Sequence, residues 1–307
     1  MATAMEGQPS KRPFRRRFDR EALTGYLFIA PAMLGFFLFF LLPAGRAITI
    51  SFTDWNLLSP AKWIGLANYR EMWHDPIFWN AVRVTIAYAA FNIPAQTIIG
   101  LFLATVLTRF ARAFIWRGVI IVPYLLSNVI AAMVWLWIFD PSLGFANQFL
   151  GWFHLPHWSF FGSDTQALQS IAAVNIWRHM GLTALLFYAG MQSIPATTYE
   201  AARIDGANEW DMFRRITLPL LRPVAAFVLI TSLVGSFQIF DTVAVATRPP
   251  GGPINATRVL VLYINSKAFG QFKMGYAASM SVALFAFLIV LSLVQLRAFR
   301  GGESDLA

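Results

Sequence analysis

Long stretches of this sequence carry no charged side chain. Six of them approach or exceed the length of about 20 apolar residues that a helix needs to cross the hydrocarbon core of a bilayer. The fourth stretch contains one charge, Arg178. A charge at the centre of a bilayer costs at least ~2.5 kcal/mol, so long charge-free stretches predict membrane spans. The six stretches are residues 22–45, 84–108, 118–139, 165–199, 223–240 and 274–296.

The composition agrees with a membrane protein and excludes several kinds of site. Of the 307 residues 57% are hydrophobic and 13% are charged, where ~25% is the usual charged share. The absence of cysteine excludes disulfides and thiolate metal sites, and the four histidines show no metal-ligand spacing. The net charge of +9 comes from basic residues scattered between apolar runs. Nucleic acid is therefore not a predicted partner, because such proteins gather their basic residues on one face.

The predicted fold is all-α, a polytopic membrane protein with six transmembrane helices. Lys and Arg are concentrated in the N-terminal tail and in alternate loops, which predicts that both termini are cytoplasmic. We expect a basic tail over residues 1–20, a membrane domain over residues 21–300 and a C-terminal tail over residues 301–307. The first apolar run is too long for a cleavable secretory signal.

The loop between the fourth and fifth predicted spans, residues 195–223, has the signals of two short helices. Thr197 followed three residues later by Glu200 predicts a capping box. Gly206 predicts a left-handed turn that ends the first helix, and Asn208 predicts the cap of the second. Such a helical hairpin is also typical of ordinary interfacial segments, so the hairpin alone does not indicate a function.

The residue identities in this loop resemble the EAA loop of permease subunits of binding-protein-dependent ABC importers. Further segments, residues 26–31, 51–55, 65–69, 75–80, 123–124 and 240–241, resemble the sugar-permease branch of that family. Pro219, which we also expect to end the second helix, belongs to the motif. The residues that carry the loop's resemblance are Glu200, Ala201, Ala202, Asp205, Gly206, Ala207, Phe213, Ile216, Leu218 and Pro219.

The resemblance implies the type I ABC importer permease fold and a set of partners in a bacterial cytoplasmic (inner) membrane. These are a second permease subunit, usually a different chain, two ATPase subunits that each bind one EAA loop, and an extracytoplasmic solute-binding protein that delivers a carbohydrate. The chain has no phosphate-binding Gly-x-x-x-x-Gly-Lys-Ser/Thr loop. ATP and Mg are therefore expected in the partner ATPases, and this chain is expected to be a transport subunit without a cofactor of its own. Glu200 either caps its helix or pairs with a basic group of an ATPase.

Positions matched to the maltose-type permeases give a tentative substrate path. The matched residues are Asn175, His179, Ser232, Ser236, Phe237 and Gln238. Asn175 and His179 lie one turn apart on a helix, as do Ser232 and Ser236, so each pair shares a face. Sugar hydroxyls need such paired donors and acceptors. The alternative is that these small polar residues hold transmembrane helices together.

Two ionisable residues interrupt the apolar runs, Arg178 and Asp241. Ionisable groups within a membrane face the protein interior or water and usually pair. One hypothesis is therefore a mutual ion pair that gates the path. Alternatively, Arg178 attracts an anionic substrate, or Asp241 is hydrated near the outer mouth.

The sequence leaves three alternatives to a carbohydrate importer. Glycerol 3-phosphate or a glycerophosphodiester is the second choice of substrate, because its permeases are close relatives and Arg178 suits a phosphate. A secondary transporter would be expected to show repeats and several buried carboxylates, whereas Asp241 is the one candidate for a buried carboxylate in this sequence. A membrane enzyme would need a convergent polar constellation, and the spans contain none that we recognise.

Overall fold

The structure is a computed structural model that describes residues 20–109 and 113–300. The predicted basic tail, apart from Arg20, and the predicted C-terminal tail lie outside these residues. Within them the chain is helical throughout, apart from loops and one isolated bridge between Thr53 and Trp63. The all-α prediction is confirmed for this part of the chain.

The helices are numbered in chain order. The first seven are α1 (Arg20–Phe36), α2 (Leu42–Ile50), α3 (Ala67–His74), α4 (Pro76–Leu107), α5 (Ala113–Leu125), α6 (Asn128–Ile138) and α7 (Phe145–Trp152). The next five are α8 (Ala167–Gln192), α9 (Ala196–Ile204), α10 (Glu209–Met212), α11 (Leu218–Leu220) and α12 (Arg222–Phe237). The last three are α13 (Asp241–Ala246), α14 (Leu260–Asn265) and α15 (Met274–Arg300). Wider π-helical turns occupy Phe37–Leu41, Phe213–Thr217 and Ser266–Gly270, and a short 3₁₀ turn occupies Phe160–Gly162.

The chain divides into two compact units, residues 1–49 and 50–307. The described part of the first unit is one apolar helical stretch that continues to the start of the second. This stretch, Leu23–Ile50, has 28 residues and a mean hydropathy of 2.3, and it includes the π-helical turn. Its length and apolarity suit the first predicted span.

The second unit carries the remaining predicted spans. Pro76–Leu107 and Met274–Phe299 are long and apolar enough to cross a membrane, and two further helix pairs qualify only as bent spans. Counting these pairs, up to five spans in the described residues meet the criteria of length and composition. The fourth predicted span forms the 26-residue helix α8, whose polar residues Asn175, Arg178 and His179 lower its hydropathy. The structure therefore does not confirm the count of six by these criteria.

The third predicted span is not one continuous helix. α5 and α6 meet at an angle of 94° across a short break. Pro123 lies in the last turn of α5, where its ring removes a backbone donor. Ser127 then caps α6 by accepting a hydrogen bond from the backbone N–H of Ile130 at 3.3 Å. The apolar pattern over residues 118–139 concealed this break, because both halves are strongly hydrophobic and neither carries a charge.

Glycines allow the central helices to approach closely. α4 and α8 form the most extensive helix pair in the described chain. A Cβ atom at Gly100 of α4 would collide with the side chain of Thr183 of α8, and one at Gly181 of α8 would collide with the backbone carbonyl of Ile120 of α5. Small residues at such contacts are typical of membrane helix packing. They bring the polar faces of α4 and α8 within hydrogen-bonding distance.

The start of α4 is fixed by Asp75. Its carboxylate accepts hydrogen bonds from the backbone N–H groups of Ile77 and Phe78 and from the hydroxyls of Tyr263 and Tyr276. Burial raises the pKa of Asp75, but these hydrogen bonds outweigh that effect and hold the pKa below its usual value. One carboxylate thus joins α4 to α14 and α15.

Candidate functional site

A polar cavity of about 390 Å³ lies among α4, α8 and α12. Its wall also includes Tyr124 and Asn128, on either side of the α5–α6 break, and the segment between α12 and α13. Among the described residues that line it, Asp241 is the one with a formal charge, and no Lys or Arg takes part. The other polar side chains of the wall are Asn92, Gln96, Asn175, His179, Thr183, Thr231, Ser232, Ser236, Gln238 and Thr242.

The structure brings together most of the predicted substrate-path residues. Those that line the cavity are Asn175, His179, Ser232, Ser236 and Gln238. Phe237 does not line it. Its side chain is buried against Leu233 and Leu288, and its ring lies 5.3 Å from the ring of Phe287. Phe237, which was predicted for the path, therefore faces α15 and not this cavity, because one step along a helix turns a side chain by about 100° away from its neighbour.

Two buried amides of α4 form the centre of the polar wall. Asn92 donates to Ser236 Oγ at 3.0 Å and accepts from Asn175 Nδ2 at 3.1 Å. Gln96 donates to Thr183 Oγ1 at 2.9 Å and to Ser232 Oγ at 3.2 Å. The two amides thereby connect α4 to both α8 and α12.

His179 is held in one tautomer by its neighbours. Its Nε2 atom lies 2.9 Å from an Nη atom of Arg178, and its Nδ1 atom lies 2.9 Å from the backbone oxygen of Asn175. A guanidinium group only donates hydrogen bonds, so Nε2 accepts and the proton is on Nδ1. Both ring nitrogens are therefore occupied within the protein. His179 presents its ring, and no free N–H group, to the cavity.

Arg178 stabilises the break between α5 and α6. Its Nε donates to the backbone oxygen of Leu126 at 2.8 Å, and one Nη donates to that of Tyr124 at 3.3 Å. Its guanidinium group also lies 5.3 Å from the centre of the Tyr124 ring. Helix ends leave backbone carbonyls without partners, and Arg178 supplies donors to two of them.

The hypothesis of a direct ion pair between Arg178 and Asp241 does not describe this conformation. No N–O distance between them falls within 4 Å, and Asp241 instead accepts a hydrogen bond from Asn128 Nδ2 at 3.0 Å. Arg178 and Asp241 nevertheless act on the same feature. Arg178 binds carbonyls on the α5 side of the break, and Asp241 binds the first residue of α6.

Residues 195–223 form the predicted helical hairpin. α9 ends in a turn in which Gly206 adopts a φ of +79°. The backbone N–H of Ala207 donates to the oxygen of Ala202 at 2.9 Å, and that of Gly206 donates to the oxygen of Arg203 at 3.1 Å. This pair of bonds is a Schellman motif, which favours glycine at the left-handed position. Asn208 then caps α10 by accepting from the N–H of Asp211 at 2.9 Å, as predicted.

Two details of the hairpin differ from the sequence prediction. Thr197 does not form a capping box with Glu200, because α9 begins at Ala196 with Pro195 at the cap position and no side-chain cap. Pro219 does not end the second helix, which continues as a π-helical turn into α11 and bends by 66° before α12. The widened turn lies immediately before Pro219, where the missing backbone N–H perturbs the helix.

The exposed side of the hairpin carries the first half of the motif. Glu200, Ala201, Asp205 and Gly206 are exposed, as is Leu218. The partly buried motif residues are Ala202, Ala207, Phe213, Ile216 and Pro219. The two halves of the hairpin are joined by a hydrogen bond of 2.9 Å between the hydroxyls of Tyr199 and Thr217.

Comparison with protein families identifies the chain. Residues 96–300 match the model of the binding-protein-dependent transport system inner membrane component. This chain belongs to that family. The probable ABC transporter permease protein YesP of Bacillus subtilis (strain 168) is 32% identical over 290 residues, which are 93% of this chain and 92% of YesP. The sn-glycerol-3-phosphate transport system permease protein UgpA of Escherichia coli O6:K15:H31 (strain 536 / UPEC) is 32% identical over 95% of this chain and 98% of UgpA.

Solved structures share the fold. A chain of a bacterial ABC transporter involved in the import of the acidic polysaccharide alginate matches this permease with a TM-score of 0.80. It is 21% identical, and the match covers 93% of this permease and 98% of that chain. Membership of the transport family and the similarity to YesP, rather than this likeness of fold, make the chain a membrane-embedded transport subunit and not an enzyme, as expected. The described residues contain no group of three or more His, Cys, Asp or Glu side chains that suits a metal ion.

Sequence reasoning missed several residues of the permease cavity. Asn92 and Gln96 are the most buried polar groups of its wall on α4, with 1% and 6% of their surfaces exposed. Their signal was present in the sequence, because they are two amides one turn apart within a predicted membrane span. Thr183 and Asn128 gave no such signal. Single hydroxyl and amide side chains are common in membrane helices, and the break that exposes Asn128 was not predicted.

We expect that Arg178→Asp abolishes substrate-stimulated ATP hydrolysis by the reconstituted transporter and that adding Asp241→Arg does not restore it. The reason is that Arg178 donates to the carbonyls of Tyr124 and Leu126, which an aspartate cannot do. Asp241→Asn, which retains an oxygen for Asn128, is the matched control and is expected to preserve most of the activity. Recovery in the charge-swapped double variant would instead support a direct ion pair during transport.

Proposed function

We propose that this permease forms part of an ABC importer that carries an uncharged carbohydrate, and that the polar cavity lies on the substrate path. The observation that carries the proposal is the chemistry of the cavity wall. It combines hydroxyl and amide side chains from α4, α8 and α12, which suit the hydroxyl groups of a sugar.

The charges around the cavity favour a neutral substrate. The described wall contributes one carboxylate, that of Asp241, and no cation. Arg178 of α8, which adjoins His179 of the wall, already donates to two backbone carbonyls and to His179. An anion leaving water would lose its hydration and meet a like charge, and both effects oppose entry.

A second candidate substrate is glycerol 3-phosphate or a glycerophosphodiester. It is favoured by the 32% identity to UgpA over nearly the whole chain. Such a substrate would need a cation in the path, and Arg178 is the residue that would have to release its carbonyl partners to supply it. This requirement makes the phosphate the weaker candidate for this chain.

The hairpin of residues 195–223 is proposed to couple transport to ATP hydrolysis in partner subunits. Its exposed turn, including Glu200, Asp205 and Gly206, is the surface on which an ATPase would dock, and its small residues Ala201 and Ala202 permit close approach. The half of the hairpin that leads back to α12 contains Phe213, Ile216, Leu218 and Pro219. In this proposal Glu200 pairs with a basic group of the ATPase, since it does not cap α9.

The complete importer would contain a second, different permease chain, two ATPase subunits that hold ATP and Mg, and an extracytoplasmic solute-binding protein. Residues 21–300 would form the membrane domain, in contact with lipid, with both terminal tails on the cytoplasmic side. Two observations support this arrangement: the family is named for its dependence on a binding protein, and the basic residues are concentrated in alternate loops.

The substrate class is tested by ATP hydrolysis of the importer reconstituted in liposomes with its partner subunits and binding protein. The panel contains glucose, maltose, lactose, raffinose, glycerol 3-phosphate and glycerophosphocholine. We expect a neutral sugar to stimulate hydrolysis and the two phosphates to have no effect. Stimulation by glycerol 3-phosphate alone would replace the carbohydrate by the second candidate, and the absence of any associated ATPase would contradict the importer.

The coupling role is tested by Gly206→Val. A β-branched residue at a φ of +79° is strained by about 1–3 kcal/mol, which distorts the proposed docking turn. We expect substrate-stimulated ATP hydrolysis to fall by roughly tenfold or more, as ~1.4 kcal/mol of lost coupling would produce. The control is Gly151→Ala in α7, where an added Cβ meets no atom within 4 Å. Unchanged stimulation in Gly206→Val would contradict the coupling role.

A further inference from the structure

The hydrogen bonds around Asn92 and Gln96 have a direction. An amide NH₂ group has two hydrogens to donate and accepts none. Gln96 directs both to hydroxyl oxygens, those of Thr183 and Ser232. Asn92 directs one to the hydroxyl oxygen of Ser236, while its own oxygen accepts from Asn175. Each of the three hydroxyls therefore acts as an acceptor toward α4.

The hydrogens of these hydroxyls are not used within the described protein. A hydroxyl in a membrane helix commonly donates to a backbone carbonyl one turn earlier, as Thr231 does to Phe227 at 2.8 Å and Thr97 does to Ile93 at 2.7 Å. No such bond is made by Thr183, Ser232 or Ser236. All three line the cavity. Ser232 is half-buried there, whereas Thr183 and Ser236 are almost completely buried, so a molecule inside the cavity is the acceptor that remains for their hydrogens.

We infer that Asn92 and Gln96 are positioning residues, which fix three hydroxyl groups of the cavity as hydrogen-bond donors toward an oxygen atom of a bound carbohydrate. The hydroxyls are those of Thr183, Ser232 and Ser236. This inference rests on the proposed function, because it assigns the direction of contacts at the same cavity. It explains why two amides are buried almost completely in a membrane-spanning helix.

Packing of helices alone would not require this arrangement. Amides that merely join helices are satisfied by any set of donors and acceptors. Here both hydrogens of Gln96 go to hydroxyl oxygens of residues that also line the cavity. The side-chain amide of Gln96 donates to no backbone carbonyl of the described residues. The wall consequently presents donors, which match the many lone pairs of a polyhydroxy ligand.

The decisive variant is Gln96→Glu. A glutamate has at most one hydrogen to donate where the amide has two, whether the carboxyl group is ionised or protonated. At least one of Ser232 and Thr183 must then turn its hydrogen toward residue 96 and away from the cavity. The probe is the neutral sugar that stimulates the reconstituted importer in the panel above. We expect its transport KM to rise about fivefold to tenfold, as the loss of one such bond produces, with turnover at saturation within about twofold of the wild type.

Ser232→Ala provides the independent arm of the test. It removes one of these two donors by a substitution on α12, with every residue of α4 unchanged, so its KM is expected to rise by a similar factor. The double variant is expected to show less than the product of the two factors, because Gln96 acts in part through Ser232. Thr97→Val is the matched control, since that hydroxyl bonds only within its own helix, and its KM should not change.

Each result of these measurements either supports or overturns the positioning role of Gln96. An unchanged KM in Ser232→Ala would overturn the inference even if Gln96→Glu failed to assemble. A loss of thermal stability in Gln96→Glu with an unchanged KM would assign Gln96 to helix packing alone, and strictly multiplicative effects would show that it does not act through Ser232. If no sugar stimulates the wild-type importer, the proposed function fails first, and this is seen before any variant is measured.

Discussion

Polar side chains among apolar helices must find their hydrogen-bond partners inside the protein, because hydrocarbon offers none. In this permease that constraint falls on Asn92 and Gln96, whose bonds to α8 and α12 hold three helices around one cavity. Arg178 meets the same constraint for the backbone carbonyls released at the α5–α6 break. The same hydrogen bonds therefore stabilise the fold and shape the cavity. A substitution that removes one of them is expected to affect both the stability of the protein and the shape of the cavity.

The cavity and the hairpin are connected through the chain itself. α8, which carries Asn175 and His179, leads within a few residues into α9, and α11 leads through Leu221 into α12, which carries Ser232 and Ser236. In the proposed importer, a displacement of the hairpin by the ATPase would move two walls of the cavity together. The hairpin would move as one body, because its two halves are joined by the Schellman turn at Gly206 and by the hydrogen bond between Tyr199 and Thr217.

The sequence predicted features that depend on local pattern and missed those that depend on packing. The all-α fold, the turn at Gly206 and the cap at Asn208 followed from hydrophobic runs and capping rules. The break at Ser127 and the continuation of the helix past Pro219 did not, because a proline shows that a helix is perturbed but not whether it bends, breaks or ends. The burial of Phe237 did not either, because it depends on packing against α15. Arg178 was recognised as unusual, and a pair with Asp241 was one of the hypotheses for it. The backbone carbonyls that it binds here were not foreseen, since a sequence shows a charge but not the carbonyls left open by a bend elsewhere.

The central claim is that the cavity among α4, α8 and α12 lies on the path of an uncharged carbohydrate. The chain has no cysteine, so single-cysteine variants of two adjacent residues at the end of α12 report separately on the cavity and on the buried contact with α15. In the reconstituted importer, Gln238→Cys should react with a small hydrophilic thiol reagent, and the transported sugar should slow that reaction, whereas Phe237→Cys should remain unreactive. Equal reactivity at both positions, or labelling of Gln238→Cys that no transported sugar slows, would contradict the account.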